Sequence, residues 1–383
     1  MAGACLRMKY LVLSGTDGSV PESAFLDNEG YVRAIGQNSG NLLFQYAAKR
    51  LIGEKAAVIG RDMPRNMGRI RKDARAIIIP SANFLREGAD MSGFVSFLER
   101  AQMPLIFLGL GAQADSFDQT DFDFHPSVVR LIDLIRERSN KVSVRGEFTA
   151  ALLERHGVQN VVVTGCPSNF INPAPDLADV IAAKATQPVE SFITHAEEPW
   201  PKNPDKSRVD RKLIEWTRSG RAIMVQQSVP DMLGYLRRNN PAAVQQPGDH
   251  FEESLQKRLL PDAGLESFRD FCALKLRSYI SVDQWMEDSA RFDFSIGMRL
   301  HGNMAAWQAG TPSLWIHHDA RTREMCDTMA LPSIAMDEFL DQCDTIEDAR
   351  ARWEFDAEAY TARRKDLRAA LDSVLAAHDV AAA

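Results

Sequence analysis

The sequence predicts two Rossmann-like α/β domains that face each other across a cleft, followed by a C-terminal helical segment. Short apolar runs alternate with amphipathic stretches along most of the chain, which is the pattern of parallel sheets with helical crossovers. At 383 residues, the chain is also longer than one ordinary hydrophobic core, so two domains are expected. A stretch rich in Pro, Ala and Asp at 172–187 is typical of a connection between domains.

We place the first domain at residues 1–175, the second at 188–345 and the helical segment at 346–383. The predicted strands are at 10–15, 56–59, 74–79, 105–108, 141–144, 161–164, 189–194, 222–226, 279–282, 292–296, 312–316 and 333–336. The predicted helices are at 42–52, 93–100, 126–137, 146–156, 205–219, 231–238, 266–276, 284–290, about 302–309, 321–329 and within 346–380. Polar loops are predicted at 17–38 and 239–252.

Composition excludes several classes of protein. Hydrophobic residues make up 45% and charged residues 25% of the chain, as in soluble globular proteins. The net charge of −7 is dispersed, and no run of Lys or Arg suggests a nucleic acid or an anionic membrane as a partner. The apolar patch at 10–13 is too short for a signal peptide or a transmembrane segment. We therefore expect a cytoplasmic protein without a transmembrane segment.

The five cysteines are scattered and form no CxxC pair. Reduced thiols in the cytoplasm fit this distribution best. His317 and His318 are adjacent on a predicted strand, where neighbouring side chains point to opposite faces. We therefore predict no metal site.

The stretch at 292–315 carries the main functional signal. It contains a strand, a turn at Gly297, the sequence Arg299-Leu300-His301 and then a helix. Ligands of open α/β sheets bind outside the carboxyl ends of the strands, and a helix start offers unpaired N–H groups. We predict an anion site with its own proton donor at this position. Gly302 and Asn303 are also expected to contribute to the site. The alternative is that Arg299 forms a surface ion pair and that His301 is a capping or core residue.

Other candidate residues follow other predicted strands. Arg145 lies at the exit of strand 141–144, and Arg321 begins a helix after strand 312–316. Both are candidate anion contacts. The first-domain loop tips carry the amides of Asn38, Asn41 and Asn83, which can bind sugar hydroxyls or serve as turn and capping residues.

Three segments together resemble the polysaccharide pyruvyl transferase family: SIGMRLHGNMAAWQAGTPSLWI, SVRGEFTAALLERHGVQNVVVTGCPS and NSGNLLFQYA. The resemblance implies a GT-B-like fold, phosphoenolpyruvate as the donor and a sugar on a lipid-linked or nucleotide-linked intermediate as the acceptor. The product would be a pyruvate ketal. By position, Arg145, Arg299, Leu300 and His301 resemble the family's donor-binding and catalytic residues. Two positions differ, since many members have an acidic residue at Asn41 and a run of glycines at 80–83, both on the acceptor side.

Phosphoenolpyruvate carries up to three negative charges, which planar arginines bind well. Ketal formation needs a group that donates a proton near neutral pH, and His301 is suited to this because the ordinary pKa of histidine is about 6.5. No cofactor and no metal are required. Two alternatives remain open: a glycosyltransferase that uses a nucleotide sugar, and a non-catalytic protein that binds sugar or phosphate. The acceptor sugar and the oligomeric state, a homo-oligomer included, are also left open by the sequence.

Overall fold

The computed structural model describes residues 10–53, 56–59, 67–114, 117–119, 121–196, 200, 203–238 and 250–380. Cys5 and most of the predicted loop 239–252 lie outside the described residues. The four cysteines inside them, Cys166, Cys272, Cys326 and Cys343, are buried and not disulfide-bonded.

The first sheet contains parallel strands: β1 (Tyr10–Leu13), β2 (Ala56–Ile59), β3 (Ala76–Pro80), β4 (Leu105–Leu108), β5 (Val142–Val144) and β6 (Val161–Val163). Strands β2-β1-β3-β4 form one ladder, and a parallel bridge between Leu110 and Val144 continues it to β5-β6. Strands β3 and β4 are buried throughout, as strands covered on both faces must be. The strand order reverses between β1 and β3, which makes their carboxyl ends a topological switch point.

Seven helices accompany this sheet in the described part of the chain: α1 (Asn28–Ala34), α2 (Asn41–Ile52), α3 (Met67–Asp73), α4 (Ser92–Ala101), α5 (Pro126–Arg138), α6 (Glu147–Arg155) and α7 (Leu177–Lys184). The predicted loop at 17–38 is wrong in part, because α1 begins there after an N-cap contact from Asp27 to the N–H of Gly30. Helix α3 was not predicted, and α7 lies inside the predicted connection. Helices α1, α3 and α7 have only seven or eight residues each, which is too few for a clear helical period.

The second sheet is also parallel: β7 (Phe192–His195), β8 (Ala222–Val225), β9 (Leu276–Arg277), β10 (Phe294–Gly297), β11 (Ser313–His317) and β12 (Ser333–Ala335). The spatial order is β12-β11-β10-β7-β8-β9. This is the Rossmann order, whose switch point lies between β7 and β10. The two sheets confirm the predicted pair of Rossmann-like units.

The remaining helices are α8 (Pro204–Ser219), α9 (Pro230–Leu236), α10 (Phe251–Leu259), α11 (Leu265–Lys275), α12 (Val282–Ser289), α13 (Leu300–Gln308), α14 (Ala320–Met329), α15 (Met336–Gln342), α16 (Ile346–Ala351) and α17 (Ala357–Ala376). Among the described residues, no helix combines the length and the apolarity that crossing a membrane requires.

The predicted strand at 279–282 is wrong. The third strand of the second sheet is β9, and the following residues pair with the first unit instead. The N–H of Val20 donates to Ile280 O at 2.8 Å, and the N–H of Val282 donates to Gly18 O at 3.0 Å. The apolar side chains of Tyr279 and Val282 are buried in a core shared by both units, which explains their strand-like pattern.

Helix α17 joins both units. The indole N–H of Trp307 donates to the hydroxyl of Tyr360 at 2.8 Å, and that hydroxyl donates to Asn169 Oδ1 at 2.9 Å. These buried contacts connect the C-terminal segment to helix α13 on one side and to the end of β6 on the other. The domain boundaries given above stay predictions.

Candidate functional site

Helix α13 begins at the switch point of the second sheet. Strand β10 ends at Gly297, where φ is 156° and a Cβ would lie 2.8 Å from the carbonyl oxygen of His195. Only glycine fits this close approach. The chain then turns through Arg299, the N-cap residue, into the helix. The predicted order of strand, turn and helix is confirmed.

His301, in the first turn of α13, faces the first domain. Its ring centroid lies 5.4 Å from that of Phe44, and Nε2 lies 3.5 Å from the Sγ of Cys166. Burial, together with the positive charges of Arg145 and Arg321, holds the pKa of His301 well below its usual value. The unliganded protein therefore has a neutral imidazole at pH 7, in a positive field from both domains.

Arg145 is only 2% exposed, at the carboxyl edge of the first sheet. Its Nε donates to Gly109 O at 2.9 Å and its Nη2 to Ser81 O at 3.0 Å. Its Nη1 donates to the side-chain oxygen of Asn83 at 2.6 Å. Three oxygens of the first domain therefore hold this guanidinium in one orientation.

Arg299 lies at the carboxyl edge of the second sheet and is half-buried. Its Nη2 donates to the hydroxyl of Ser228 at 2.7 Å, and its Nε donates to Ala196 O at 3.3 Å. Ala196 and Ser228 follow β7 and β8. Arg299 therefore lies at the switch point of the second sheet.

Arg321 follows β11, in the first turn of α14. Its Nε lies 3.3 Å from the carboxylate of Asp319, which also accepts hydrogen bonds from the N–H and the hydroxyl of Thr322. Burial opposes ionisation of Asp319, but Arg321 and these hydrogen bonds bring its pKa down to about 2. A permanently charged carboxylate therefore orients Arg321.

Two further predicted residues have internal partners. Leu300 is buried, and its carbonyl oxygen accepts from the indole of Trp315 at 3.1 Å. Asn303 is fully buried, and its amide nitrogen donates to the carbonyls of Gly297 and Leu314. These bonds join α13 to β10 and β11. Contact of Leu300 or Asn303 with a substrate stays a prediction.

Gly302 lies beneath two buried polar side chains. A Cβ at this position would lie 2.3 Å from Nδ1 of His195 and 2.5 Å from Nε2 of Gln227. Both atoms are buried without a hydrogen-bond partner among the described residues. Gly302 therefore lets the helix start approach the ends of β7 and β8, and its contact with a substrate stays a prediction.

Asn38 and Asn41 flank the start of α2. The side-chain oxygen of Asn38 accepts from the N–H of Gly40 at 2.8 Å, and the amide nitrogen of Asn41 donates to the carbonyls of Ile35 and Gly36. These are the turn and capping roles that the sequence left open for both residues. Their contact with a sugar stays a prediction.

Two contacts between the domains were not predicted from the sequence. Glu324 of α14 accepts from the N–H of Thr149 at 2.7 Å and from its hydroxyl at 3.0 Å, so it caps α6 of the first domain. Burial raises the pKa of Glu324. Cys166, which contacts His301, accepts a hydrogen bond from Ser168 at 3.0 Å. No local pattern marks either residue, because their partners are distant in the sequence.

The structure thus brings together His301, Arg145, Asn83 and Arg321, while Arg299 contacts residues that follow β7 and β8. Among the described residues, no group of three or more His, Cys, Asp or Glu side chains could hold a metal ion. The chemistry that this arrangement offers is anion binding beside an imidazole.

Two Rossmann-like domains with basic side chains at their facing sheet edges define a GT-B-like fold. The profile of the polysaccharide pyruvyl transferase family matches residues 38–319. The chain belongs to this family. The match begins at Asn38 and ends shortly before Arg321. No curated protein matches the sequence at a significant level.

Several solved structures are similar in fold. MnaA from S. aureus, in a structure with UDP, is 10% identical, with 97% of each chain covered and a TM-score of 0.47. The UDP-N-acetylglucosamine 2-epimerase from Rickettsia bellii is 12% identical, with 97% of this chain and 96% of that chain covered and a TM-score of 0.46. Anabaena Alr3699/HepE in complex with UDP is 12% identical, with 97% and 98% covered and a TM-score of 0.44.

Proposed function

We propose that this protein transfers a pyruvyl group from phosphoenolpyruvate to a sugar of a glycan precursor, forming a ketal and releasing phosphate. The observation that carries the proposal is the position of His301, a titratable group held in the combined field of Arg145 and Arg321. Arg299, two residues before it, adds a third positive charge, at the helix start. Phosphoenolpyruvate suits this arrangement, because it carries up to three negative charges and must receive a proton during the reaction.

The donor would bind between the two domains. Its phosphate and carboxylate would contact Arg299, Arg321 and the N–H groups at the start of α13, where the helix dipole also favours negative charge. Arg145 would act mainly as a fixed charge, because three of its N–H groups already have acceptors in the first domain. This division requires little rearrangement when the donor binds.

The reaction would begin with proton transfer from His301 to the methylene carbon of the enol ester. The adjacent carbon becomes cation-like, and the oxygen of one sugar hydroxyl bonds to it while the proton of that hydroxyl is lost. The bond to the phosphate oxygen then breaks with its electron pair, and a second hydroxyl of the same sugar closes the ketal ring with loss of its own proton. His301 would accept one of the two released protons and regain its imidazolium form, and the other proton would leave with the phosphate as hydrogen phosphate.

Donor binding would supply the proton. The pKa of His301 is low in the unliganded protein because burial and two arginines disfavour the imidazolium. A phosphate and a carboxylate placed beside these arginines reverse that field and raise the pKa. We therefore expect His301 to take up a proton as the donor binds.

Thermal unfolding with and without ligand tests the donor, because a ligand that binds only the folded state raises its apparent stability. Phosphoenolpyruvate and a set of nucleoside diphosphates are compared on the wild type, on Arg299→Ala and on Arg33→Ala. Arg33 is a matched control, since its side chain is 61% exposed on α1. We expect a shift with phosphoenolpyruvate alone, lost in Arg299→Ala and kept in Arg33→Ala.

A shift with a nucleoside diphosphate alone would overturn the proposal in favour of glycosyl transfer. Phosphate release is then measured with phosphoenolpyruvate and a panel of sugars and glycosides. Binding of phosphoenolpyruvate without phosphate release from any of them would favour the non-catalytic alternative.

A further inference from the structure

A cavity of about 310 Å³ lies above the switch point of the first sheet, between the starts of α2 and α4. The carboxyl ends of β1 and β3 form its floor. It is lined by Leu13, Ser14, Gly15, Asn41, Phe44, Gln45, Ile79, Pro80, Ala82, Phe84, Met91 and Phe94. In open α/β sheets this position is where ligands bind.

The lining of this cavity is apolar and carries no charged side chain. The rings of Phe84 and Phe94 pack edge to face with centroids 5.6 Å apart. These two rings, with Leu13 and Met91, are only half-buried, so they present apolar surface to the open space. Such surface gains free energy when an apolar group covers it. No charged side chain lines this cavity to pair with an anion, so the donor is expected beside Arg299 and Arg321 instead.

The polar side chains of the lining are mostly engaged within the protein. The hydroxyl of Ser14 donates to Thr16 O, and the side-chain oxygen of Gln45 accepts from the hydroxyl of Thr16 at 3.0 Å. The amide nitrogen of Asn41 already has two carbonyl acceptors. A sugar ring rich in hydroxyls would leave many of its own groups unpaired in this space.

Phe44 connects the cavity to the candidate site. It lines the cavity, and its ring centroid lies 5.4 Å from that of His301. A group in the cavity is therefore about one aromatic ring away from the imidazole. The occupant can be covalently joined to a sugar whose hydroxyls lie beside His301.

We infer that the cavity binds an uncharged apolar group, alkyl or aryl, attached to the acceptor sugar. The inference rests on the proposed function, because it assigns the acceptor sugar to the space beside His301. A lipid chain and an aromatic substituent share this chemistry.

The test compares methyl, n-octyl and 4-nitrophenyl glycosides of glucose, galactose and mannose by thermal shift and by titration. The wild type is compared with Phe84→Ser and Met91→Gln, which change half-buried side chains. Phe25→Ser is the control, since Phe25 is 85% exposed outside the cavity. Unliganded melting curves show whether each variant folds.

We expect octyl or nitrophenyl glycosides to bind the wild type at least tenfold more tightly than methyl glycosides, since several apolar carbons are buried. The preference should disappear in at least one cavity variant and persist in Phe25→Ser. A preference for octyl over nitrophenyl would identify a lipid chain, and the reverse preference an aromatic substituent. Equal affinity for methyl and apolar glycosides, or a preference kept in both cavity variants, would overturn the inference.

Phosphoenolpyruvate binding is measured in the same samples to separate the two proposals. Absence of the glycoside preference in the wild type, with an intact phosphoenolpyruvate shift, overturns the cavity inference alone. A glycoside preference without a phosphoenolpyruvate shift overturns the proposed donor alone.

Discussion

Arg145 and Arg299 occupy equivalent places in the two domains, each at the carboxyl edge of a parallel sheet, but their surroundings differ. Arg145 is buried and donates to two backbone carbonyls and an amide oxygen. Arg299 is half-buried, and its contacts include the carbonyl of Ala196 and the hydroxyl of Ser228. The buried first-domain arginine is thus part of the fold, whereas under the proposed function the half-buried second-domain arginine would bind the ligand. One half of the site supplies a fixed charge and the other half supplies adaptable contacts.

The group on which both halves act is His301, and its removal should have the largest effect. We expect His301→Ala to lower turnover by roughly 10²-fold or more, because the proton donor and acceptor is lost. Steady-state phosphate release measures this, with the phosphoenolpyruvate-induced thermal shift as the check that the donor site persists. Turnover within a few-fold of the wild type would remove His301 from the proposed chemistry.

Replacing each arginine by methionine tests the comparison itself. Arg145→Met leaves buried acceptors unpaired, at about 1–3 kcal/mol each, so we expect a loss of several kcal/mol in the free energy of unfolding. Arg299→Met should cost less than Arg145→Met, because the side chain of Arg299 is only half-buried. Urea unfolding of both variants gives the two values. Equal losses, or a larger loss for Arg299→Met, would contradict the division into fixed and adaptable halves.

Stability should fall in acid because of a buried histidine beside Arg299. His195 is fully buried, and burial lowers its pKa to about 3. In the unfolded chain its pKa is about 6.5, so between these values the unfolded state binds the proton and the folded state does not. This contribution is complete above pH 6.5 and is lost as the pH falls, by about 2 kcal/mol at pH 5.

The variant His195→Gln should flatten this dependence, since glutamine keeps an N–H for Ser295, which His195 contacts at 2.9 Å. Glu324 has the opposite sign, because its raised pKa favours the folded state below pH 4.5 and that contribution is lost as the pH rises through the folded-state value. Melting temperatures are measured between pH 4 and 8 for the wild type, His195→Gln and Glu324→Gln. They separate the contributions of His195 and Glu324 to the pH dependence of stability. An unchanged acid slope in His195→Gln would exclude His195 as the cause.

Local chemistry made much of this site predictable from the sequence. The turn at Gly297 and the helix that follows Arg299 depend on neighbouring residues, so their order could be read along the chain. The approach of Arg145 and Arg321 to His301 could not, because it depends on how two separately formed sheets pack together. The same holds for the stretch around Tyr279, whose apolar pattern reflects burial between the domains rather than pairing within a sheet. Neighbouring residues in the sequence determine where a side chain lies in one sheet. They do not determine which residues of the two sheets come into contact.

Cys166 offers the finest test, because its thiol is a polar first-domain group that lies within contact distance of the imidazole. Its Sγ accepts from Ser168, so its own S–H is available to Nε2 of His301. Cys166→Ser keeps a donor of similar shape, and Cys166→Ala removes it. We expect Cys166→Ala to change the pKa of His301 and thereby to move the pH profile of turnover, so that the rate at a fixed pH changes by a few-fold. Cys166→Ser should restore most of the difference. NMR titration of the imidazole gives the same pKa without any need for turnover. If the alanine and serine variants titrate alike, the thiol only fills space, and the orientation of His301 depends on Phe44 and the start of α13.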